Sequence, residues 1–358
     1  MTRVADVVDA VVGIDTHRDT HEIEIATATA STISTTRIPN TEQGFSDLLT
    51  WISTHAPGPR VLVSIEGTRS YGHALTRALQ EHGLWVIECE QPSRKQRRGR
   101  GKSDPIDAHL AVLSALGKNV QGLPQPRADG DREALRILLV ARQELTTTQT
   151  AQTNRLKALL RSGDDTDRRL AARKISQKIL TTILQRPLPD HPTRLKIVTH
   201  QEIHRLAHAL TQGLREEKAN EKNITVIVDD LAPGLLSTYG IGPISAAQAI
   251  ISFSHPGRCR SEAAFAALAG ANPIPASSGR ITRHRLNRGG DRALNKALHT
   301  IAGTRLRGCP RTREYAERRT ADGRTPKEIR RCLKRYIARE LYKTLTTAMT
   351  PTKKLDNL

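Results

Sequence analysis

The N-terminal third of the chain alternates between apolar patterns typical of strands and of helices. Apolar runs and period-two alternation predict β-strands at 11–16, 21–29, 34–38, 61–65 and 84–89. Helical spacing of apolar residues predicts helices over 41–55, with Thr41 as the N-cap, over 70–82, and from about Ser103 onward. Three meandering strands followed by alternating helices and strands are the order of the ribonuclease H-like fold, in which helices cover both faces of a mixed sheet.

The rest of the chain is predicted to be mostly helical. One long helix over 131–162 carries a narrow stripe of leucines, a second helical run covers 201–223, and Pro187, Pro189 and Pro192 predict a bend between them. Such a stripe is typical of a coiled-coil-like arm that pairs helices within or between chains. From Leu231 onward we expect a compact helical domain that ends in a basic helix over 326–345.

These patterns predict an α/β chain in four parts. A ribonuclease H-like domain with a mixed sheet covers 1–120, and a helical arm that serves as an oligomerisation segment covers 121–230. A mostly helical C-terminal domain covers 231–345, and a flexible tail covers 346–358.

The net charge of the chain indicates which class of molecule it binds. The chain has 56 Lys and Arg against 36 Asp and Glu, a formal net charge of +20, so its surface attracts polyanions, among which nucleic acid is the natural partner. The sequence has no long apolar run and no secretory signal at its start, so we expect a soluble, cytoplasmic protein with no membrane partner. The four scattered cysteines indicate reduced packing residues.

Four carboxylates are candidate metal ligands. Asp15 and Glu66 each end an apolar strand, where an unpaired carboxylate is costly, and Asp104 and Asp107 begin one helix on the same face. Four oxygen donors of this kind suit two Mg²⁺ ions roughly 4 Å apart, with Mn²⁺ as the alternative ion. The other interpretation is that Asp104 only caps its helix and Asp107 only interacts favourably with the helix dipole. His17 and His21 are interpreted as surface or packing histidines.

A basic loop directly precedes Asp104. Its cations are Arg94, Lys95, Arg97, Arg98, Arg100 and Lys102. Such a run is usually a solvated surface, but its position beside the candidate metal site favours contact with phosphate.

Two further segments could contact nucleic acid. Gly240 and Gly242 resemble the hairpin of a helix-hairpin-helix element, and a plain tight turn explains them equally well. Ser277 and Ser278 precede a glycine and a dense set of cations, although such serines are more often loop residues than nucleophiles. The cations are Arg280, Arg283, Arg285, Arg288 and Arg292.

Six motifs follow one another along the chain: Val12-Gly13-Ile14-Asp15, Ile65-Glu66-Gly67-Thr68, Lys102-Ser103-Asp104-Pro105-Ile106-Asp107-Ala108, Gly240-Ile241-Gly242-Pro243, Ser277-Ser278-Gly279 and Gly290-Asp291-Arg292-Ala293-Leu294. In this order they resemble the insertion-sequence one-ten family, the DEDD transposases related to pilin-gene invertases. The resemblance covers nearly the whole chain and is weakest over 163–227. One departure is Asn295, which follows Leu294 where many relatives have arginine, so that a basic contact is missing or is supplied by Arg292 or Lys296.

The resemblance implies a RuvC-like domain and a C-terminal transposase domain that act together on DNA. It implies that Asp15, Glu66, Asp104 and Asp107 bind the metal and that Ser278, with Ser277 as the alternative, is the nucleophile. It also implies a bridge RNA that pairs with donor and target DNA. Recombination needs several strands cut together, so we expect a dimer or tetramer.

Two other interpretations of the function remain open from the sequence. The first is a metal-dependent nuclease, such as a junction resolvase, which uses water as the nucleophile. The second is a nucleic-acid-binding protein without catalytic activity, in which the carboxylates are structural.

Overall fold

The computed structural model describes residues 2–89, 104–120, 122–188, 190–275, 284–285, 287 and 289–350, and for residues 104, 105 and 284 the backbone alone. The chain forms two compact units. The first consists of Met1–Ala134 and Ala249–Leu358, and the second of Leu135–Gln248.

A five-stranded mixed sheet is the centre of the N-terminal part of the first unit. The strands are β1 (Ala10–Thr16), β2 (Thr20–Thr27), β3 (Thr32–Pro39), β4 (Val61–Glu66) and β5 (Trp85–Cys89), in the order β3-β2-β1-β4-β5. The first three are antiparallel neighbours, whereas β4 is parallel to both β1 and β5. This topology confirms the predicted α/β, ribonuclease H-like arrangement.

Helices cover both faces of this sheet. On one face α1 (Glu42–His55) and α2 (His73–Glu81) pack on the even-numbered residues of β1, such as Val12 and Ile14. On the other face α3 (Asp104–Leu116) packs on odd-numbered residues such as Val11. Thr41 is the N-cap of α1, as predicted, and its side chain accepts a hydrogen bond from the Gly44 amide.

The C-terminal part of the first unit is mostly helical. It contains the end of α8 (Pro243–Phe253), then α9 (Glu262–Leu268), α10 (Arg292–Gly308), α11 (Pro310–Ala321) and α12 (Pro326–Met349). Between α9 and α10 lies a two-stranded ladder of β6 (Ile274–Pro275) and β7 (His284–Arg285). Phe253, Phe265 and Tyr342 form an aromatic cluster with ring centroids about 6 Å apart, which packs α12 against α8 and α9.

The second unit is built on two long helices. Most of α4 (Gly130–Arg161) lies beside α7 (Arg194–Leu231). The Asn220 amide donates to the Leu138 carbonyl oxygen at 2.9 Å, and Gly213 faces Gln149, so the two helices run antiparallel. The predicted pairing of helices is therefore found within this chain.

The end of this helical pair carries two short helices that the sequence did not reveal. These are α5 (Asp165–Ala172) and α6 (Gln177–Leu184), which share a core with α4 and α7. Each is eight residues long, too short for a clear helical period. Pro187 and Pro192 lie between α6 and α7, and Pro189 lies outside the described residues. Helix α7 also extends beyond the predicted range of 201–223 at both ends. In the described part of the chain, no helix combines the length and the apolar character needed to cross a membrane.

Candidate functional site

Two of the predicted metal ligands lie at the same end of the sheet. Strands β1 and β4 are parallel with Ile14 paired to Ile65, and Asp15 and Glu66 each follow by one residue. Side chains alternate along a strand, so both carboxylates lie on the face that α3 covers. The Thr16 hydroxyl donates to the Glu66 carbonyl oxygen at 2.7 Å, which ties the two strand ends together.

A glycine directly after Glu66 turns the chain away from this edge. Gly67 has a φ of +78°, in the left-handed region, and a Cβ added there would lie 2.5 Å from the Thr16 hydroxyl oxygen. A larger residue would be strained and would break the contact between Thr16 and Glu66. Glycine is therefore needed at this position to keep Glu66 at the strand end.

Helix α3 lies directly on β1. A Cβ added to Gly13 would overlap the Ala108 carbonyl oxygen and would come within 2.7 Å of a Val112 methyl group. The other end of α3 lies near the start of the chain, where the Val4 amide donates to the Lys118 carbonyl oxygen at 3.0 Å. The helix therefore runs opposite to β1, and its first turn, which carries Asp107, lies toward the end of β1.

The convergence of all four carboxylates remains a prediction. Asp107 is half-buried in the first turn of α3, and Asp104 begins this helix, but its side chain lies outside the described residues. Among the residues that the structure describes, no three His, Cys, Asp or Glu side chains are grouped closely enough to hold a metal ion. The arrangement of Asp15, Glu66 and the start of α3 nevertheless fits a divalent ion by its chemistry, because carboxylate oxygens are the ligands that Mg²⁺ prefers.

The environment of Asp15 contains a histidine whose place the sequence did not indicate. Asp15 is 6 % exposed, and its Oδ2 lies 3.2 Å from His17 Nε2. His21 is the second residue of β2, its ring is fully buried and stacked on Phe45, and burial lowers the pKa of His21. His21 is thus a packing residue, whereas His17 contacts a candidate ligand.

Two buried glutamates on β2 were not recognised as site residues. Glu22 is paired with Asp15 and Glu24 with Gly13 across the β1–β2 ladder, so both face α3. The alternation of glutamate and isoleucine in this strand is typical of a sheet with one face in water, but α3 covers that face. Glu22 is ion-paired with Arg37, and together with Glu24 and Ala108 these residues line a cavity of about 230 Å³.

Glu24 also connects the sheet to α3. Its Oε1 lies 2.7 Å from His109 Nδ1 and accepts a hydrogen bond from the Thr32 hydroxyl at 2.9 Å. Since His109 is two residues from Asp107, this contact restrains the part of α3 that carries the candidate ligand.

Most of the predicted phosphate contacts and both serines lie outside the described residues. These are Arg94, Lys95, Arg97, Arg98, Arg100, Lys102, Ser277, Ser278, Arg280, Arg283 and Arg288.

The structure describes the residues on either side of the stretch that contains both serines, residues 276–283, here called the serine segment. Ile274 pairs with Arg285 in the β6–β7 ladder, and the Asn287 amide donates to the Asn272 side-chain oxygen at 2.7 Å. Arg285 and Arg292 are both exposed. The ladder brings residues 275 and 284, which flank this segment, side by side.

A series of polar contacts connects the five-stranded sheet to the C-terminal helices of the first unit. Glu88 of β5 accepts hydrogen bonds from Arg127 at 2.7 and 2.5 Å. Arg132 donates to the Arg127 carbonyl oxygen and to the Ile251 carbonyl oxygen at 2.7 and 3.1 Å. Burial, together with the charge of Arg127, lowers the pKa of Arg132 to about 10.

The series of polar contacts continues to the start of α10. The Ser252 hydroxyl donates to Asp291 Oδ2 at 2.6 Å, and the other carboxylate oxygen of Asp291 caps α10 by accepting from the Leu294 amide. Glu88 is paired with Ile65, next to Glu66, so the contacts extend from the carboxylate end of the sheet toward the serine segment.

Gly240 and Gly242 lie just before α8. Gly240 has a φ of +86°, as a tight turn requires, whereas a Cβ added to Gly242 would meet nothing within 4 Å. Backbone conformation therefore explains glycine at the first position, whereas neither conformation nor packing within the described residues explains it at the second.

Comparison with known proteins assigns the family. Residues 12–163 match a family model for transposases of the DEDD, IS110 type, and residues 232–317 match the model described as "Transposase IS116/IS110/IS902 family". No curated protein matches the chain. The two family matches together cover about two thirds of the chain, and between them they contain the motifs that carried the resemblance. The chain therefore belongs to the IS110 family of transposases.

Proposed function

We propose that this transposase cuts and rejoins DNA by joining a metal-binding carboxylate site to a serine nucleophile. The observation that supports the proposal is the register of β1 and β4, in which Asp15 and Glu66 are neighbours on the sheet face that α3 covers. In this proposal Asp15, Glu66, Asp104 and Asp107 hold divalent ions, two Mg²⁺ or, as the alternative, Mn²⁺. When bound, such ions offset the negative charge on the phosphate that is attacked.

The protein's own residues hold this site in shape. Thr16 fixes the end of β1 to that of β4, and the contact of His109 with Glu24 restrains α3. Ligands held on strands and on a packed helix keep their positions when the substrate is absent, which lowers the cost of assembling the site.

The covalent step belongs to Ser278, with Ser277 as the alternative. The serine hydroxyl loses its proton as its Oγ forms a bond to phosphorus, the bond from phosphorus to one deoxyribose oxygen breaks, and that oxygen takes up a proton to become a free hydroxyl, so that no net proton is gained or lost. Rejoining reverses the step when a hydroxyl of another strand attacks the phosphoserine. Arg280, Arg283, Arg285 and Arg288 offset charge on the phosphate in the transition state.

The remaining partners follow from the charge and from the helical arm. A net charge of +20 suits a chain that binds a structured bridge RNA as well as donor and target DNA. Both long helices expose large apolar side chains, which supports a dimer or tetramer formed through this arm. These side chains are Ile137 and Val140 on α4, and Leu195, Val198 and Val226 on α7.

The test uses isosteric changes with a matched control. Asp15→Asn and Glu66→Gln remove charge from the site with little change in shape, and each should lower strand cleavage at least about a hundredfold, since both carboxylates serve the same ions. The control is Asp19→Asn, because the Asp19 carboxylate is exposed on the loop between β1 and β2. Near-normal cleavage by both site variants would contradict the proposed metal site.

The serine is tested separately. The wild-type protein should give a denaturation-resistant adduct with a trapped DNA substrate, and mass spectrometry should place the nucleotide on Ser278 or on Ser277. A Ser277→Ala/Ser278→Ala variant that cleaves DNA at an undiminished rate would mean that water is the nucleophile, as in a resolvase.

A further inference from the structure

A buried lysine in the C-terminal helices contacts no acidic side chain in the described structure. Lys334 of α12 is 7 % exposed, and its Nζ donates to the Asn295 side-chain oxygen of α10 at 2.6 Å. Its partner is therefore a neutral amide. Burial lowers the pKa of Lys334, and the charges of Arg292 and Arg330 lower it further.

The surroundings of Lys334 are cationic. Arg292, Asn295 and His299 follow one another at helical spacing on one face of α10, and Arg330 precedes Lys334 by one turn of α12. Arg330 Nη1 lies 3.5 Å from His299 Nε2, and Arg330 Nε is buried without a hydrogen-bond partner in the described residues. Burial lowers the pKa of His299, and the charges of Arg330 and Lys334 add to this effect.

The acidic side chains of these helices are engaged elsewhere. Asp291 caps α10 and accepts from Ser252, Glu328 caps α12 together with Thr325, and Glu340 is paired with Arg305. An ammonium group removed from water, with two guanidinium groups near it, is costly to hold. The arrangement is complementary to an anion supplied from outside the chain.

We infer that Arg292, His299, Arg330 and Lys334 form a binding site for a backbone phosphate of DNA. A phosphate oxygen accepts hydrogen bonds from both ammonium and guanidinium groups, so it suits this set of donors. Asn295 takes no charge itself but holds the Lys334 ammonium group in place. In this proposal the basic contact that Asn295 itself lacks is supplied by Lys334, from a helix much later in the chain, together with Arg292.

The connection of this cluster to the serine segment favours DNA as the source of the phosphate. The Asn295 amide also donates to the Ala269 carbonyl oxygen at 2.6 Å, in the stretch that leads into β6. Gly270 in the same stretch packs against Gly290, at the start of the segment that leads into α10. This choice of DNA rests on the proposed function, in which the serine attacks a DNA strand.

The site is tested by equilibrium binding in EDTA, with an uncleaved DNA duplex and fluorescence anisotropy over a range of KCl concentrations. Lys334→Gln and Arg330→Gln should each raise Kd about fivefold at 0.15 M salt and lower the slope of log K against log salt by about one, the value for one phosphate contact. The control, Lys343→Gln, changes an exposed lysine of the same helix and should leave the slope nearly unchanged.

Thermal unfolding separates a binding role from a structural one. Without DNA, Lys334→Gln should keep or raise Tm, since a buried charge near two cations is removed while an amide that can donate to Asn295 remains. The rise in Tm that DNA causes should become smaller. A lower Tm with unchanged DNA affinity would make Lys334 a structural residue and overturn the proposal.

A second titration uses an RNA hairpin of the same length. Loss of affinity for DNA, with or without loss for RNA, supports the site, whereas loss for RNA alone overturns the assignment to DNA. Because neither titration needs metal or cleavage, failure of the carboxylate or serine mechanism would leave these results unaffected. If Lys334→Gln and Arg330→Gln show the wild-type slope of log K against log salt, while the protein still forms the serine adduct, only the phosphate site is contradicted.

Discussion

Gly13 of β1 lies directly beneath Ala108 of α3, so closely that a Cβ on Gly13 would overlap the Ala108 carbonyl oxygen. Backbone cannot move aside as a flexible side chain does, so this contact sets the distance between β1 and α3. Asp15 lies two residues along β1, and Asp107 directly precedes Ala108. The position of the candidate ligands relative to each other therefore depends on a residue without a side chain.

The first prediction is that Gly13→Ala impairs catalysis as well as stability. Moving α3 off the strand should cost about 1–3 kcal/mol of unfolding free energy and should raise the Mg²⁺ concentration needed for cleavage. Urea denaturation and a metal titration of activity measure the two effects. Gly303→Ala in α10 is the control, because its Cβ would meet nothing within 4 Å. A Gly13→Ala protein with unchanged metal dependence would show that this spacing does not position Asp107.

The second prediction concerns the contact between Glu24 and His109. His109→Ala leaves the buried Glu24 carboxylate with fewer partners, which should cost about 1–3 kcal/mol of unfolding free energy. Adding Glu24→Gln should restore part of that stability, because an amide is less costly to bury than a carboxylate, but it should not restore cleavage. A double-mutant cycle over stability and cleavage measures this difference. Full recovery of cleavage in the double variant would contradict the positioning role of His109.

The third prediction tests the polar contacts that join the sheet to the C-terminal helices. Glu88 and Arg127 are about 10 % and 13 % exposed in their side chains, and the second cation near Glu88, Arg69, is 3.8 Å away and half exposed. Arg127→Met should therefore leave a buried carboxylate with only this weak partner and cost on the order of 3 kcal/mol. The paired change Glu88→Gln/Arg127→Met should cost less, because no buried charge is left alone. Urea denaturation of the three proteins gives both values. Equal costs for the single and the double change would mean that the ion pair is effectively solvated.

The sequence allowed the fold class to be predicted, and it indicated that Asp15 and Glu66 lie at one end of the sheet. The order of elements along the chain and the N-cap Thr41 follow from local patterns, and the two carboxylates are detectable because each ends an apolar strand. Their role as metal ligands stays a prediction. Glu22 and Glu24 were missed because alternation shows which residues share a face but not what covers that face. The Lys334–Asn295 contact was missed because it joins helices that are distant in the sequence.

The last prediction is a pH dependence of stability that comes from His255. This residue is 6 % exposed, its Nε2 accepts from the Gln125 amide at 3.4 Å, and burial, with the charges of Arg258 and Arg127, lowers its pKa to about 4. In the unfolded chain the pKa is 6.5, so between pH 6.5 and pH 4 the unfolded state binds more protons than the folded state.

The contribution of His255 to stability is therefore fully present above about pH 6.5 and is lost as the pH falls toward 4, with a total loss on the order of 3 kcal/mol. His255→Gln removes the titrating group and keeps an acceptor for the Gln125 amide. The difference in unfolding free energy between wild type and this variant, measured by urea denaturation from pH 7 to pH 4, should shift in favour of the variant as the pH falls. Subtracting the two curves removes the titration of the carboxylates, which both proteins share, and the same substitution at the exposed His82 is the control. A difference that stays constant over this range would show that His255 is protonated as readily in the folded as in the unfolded chain.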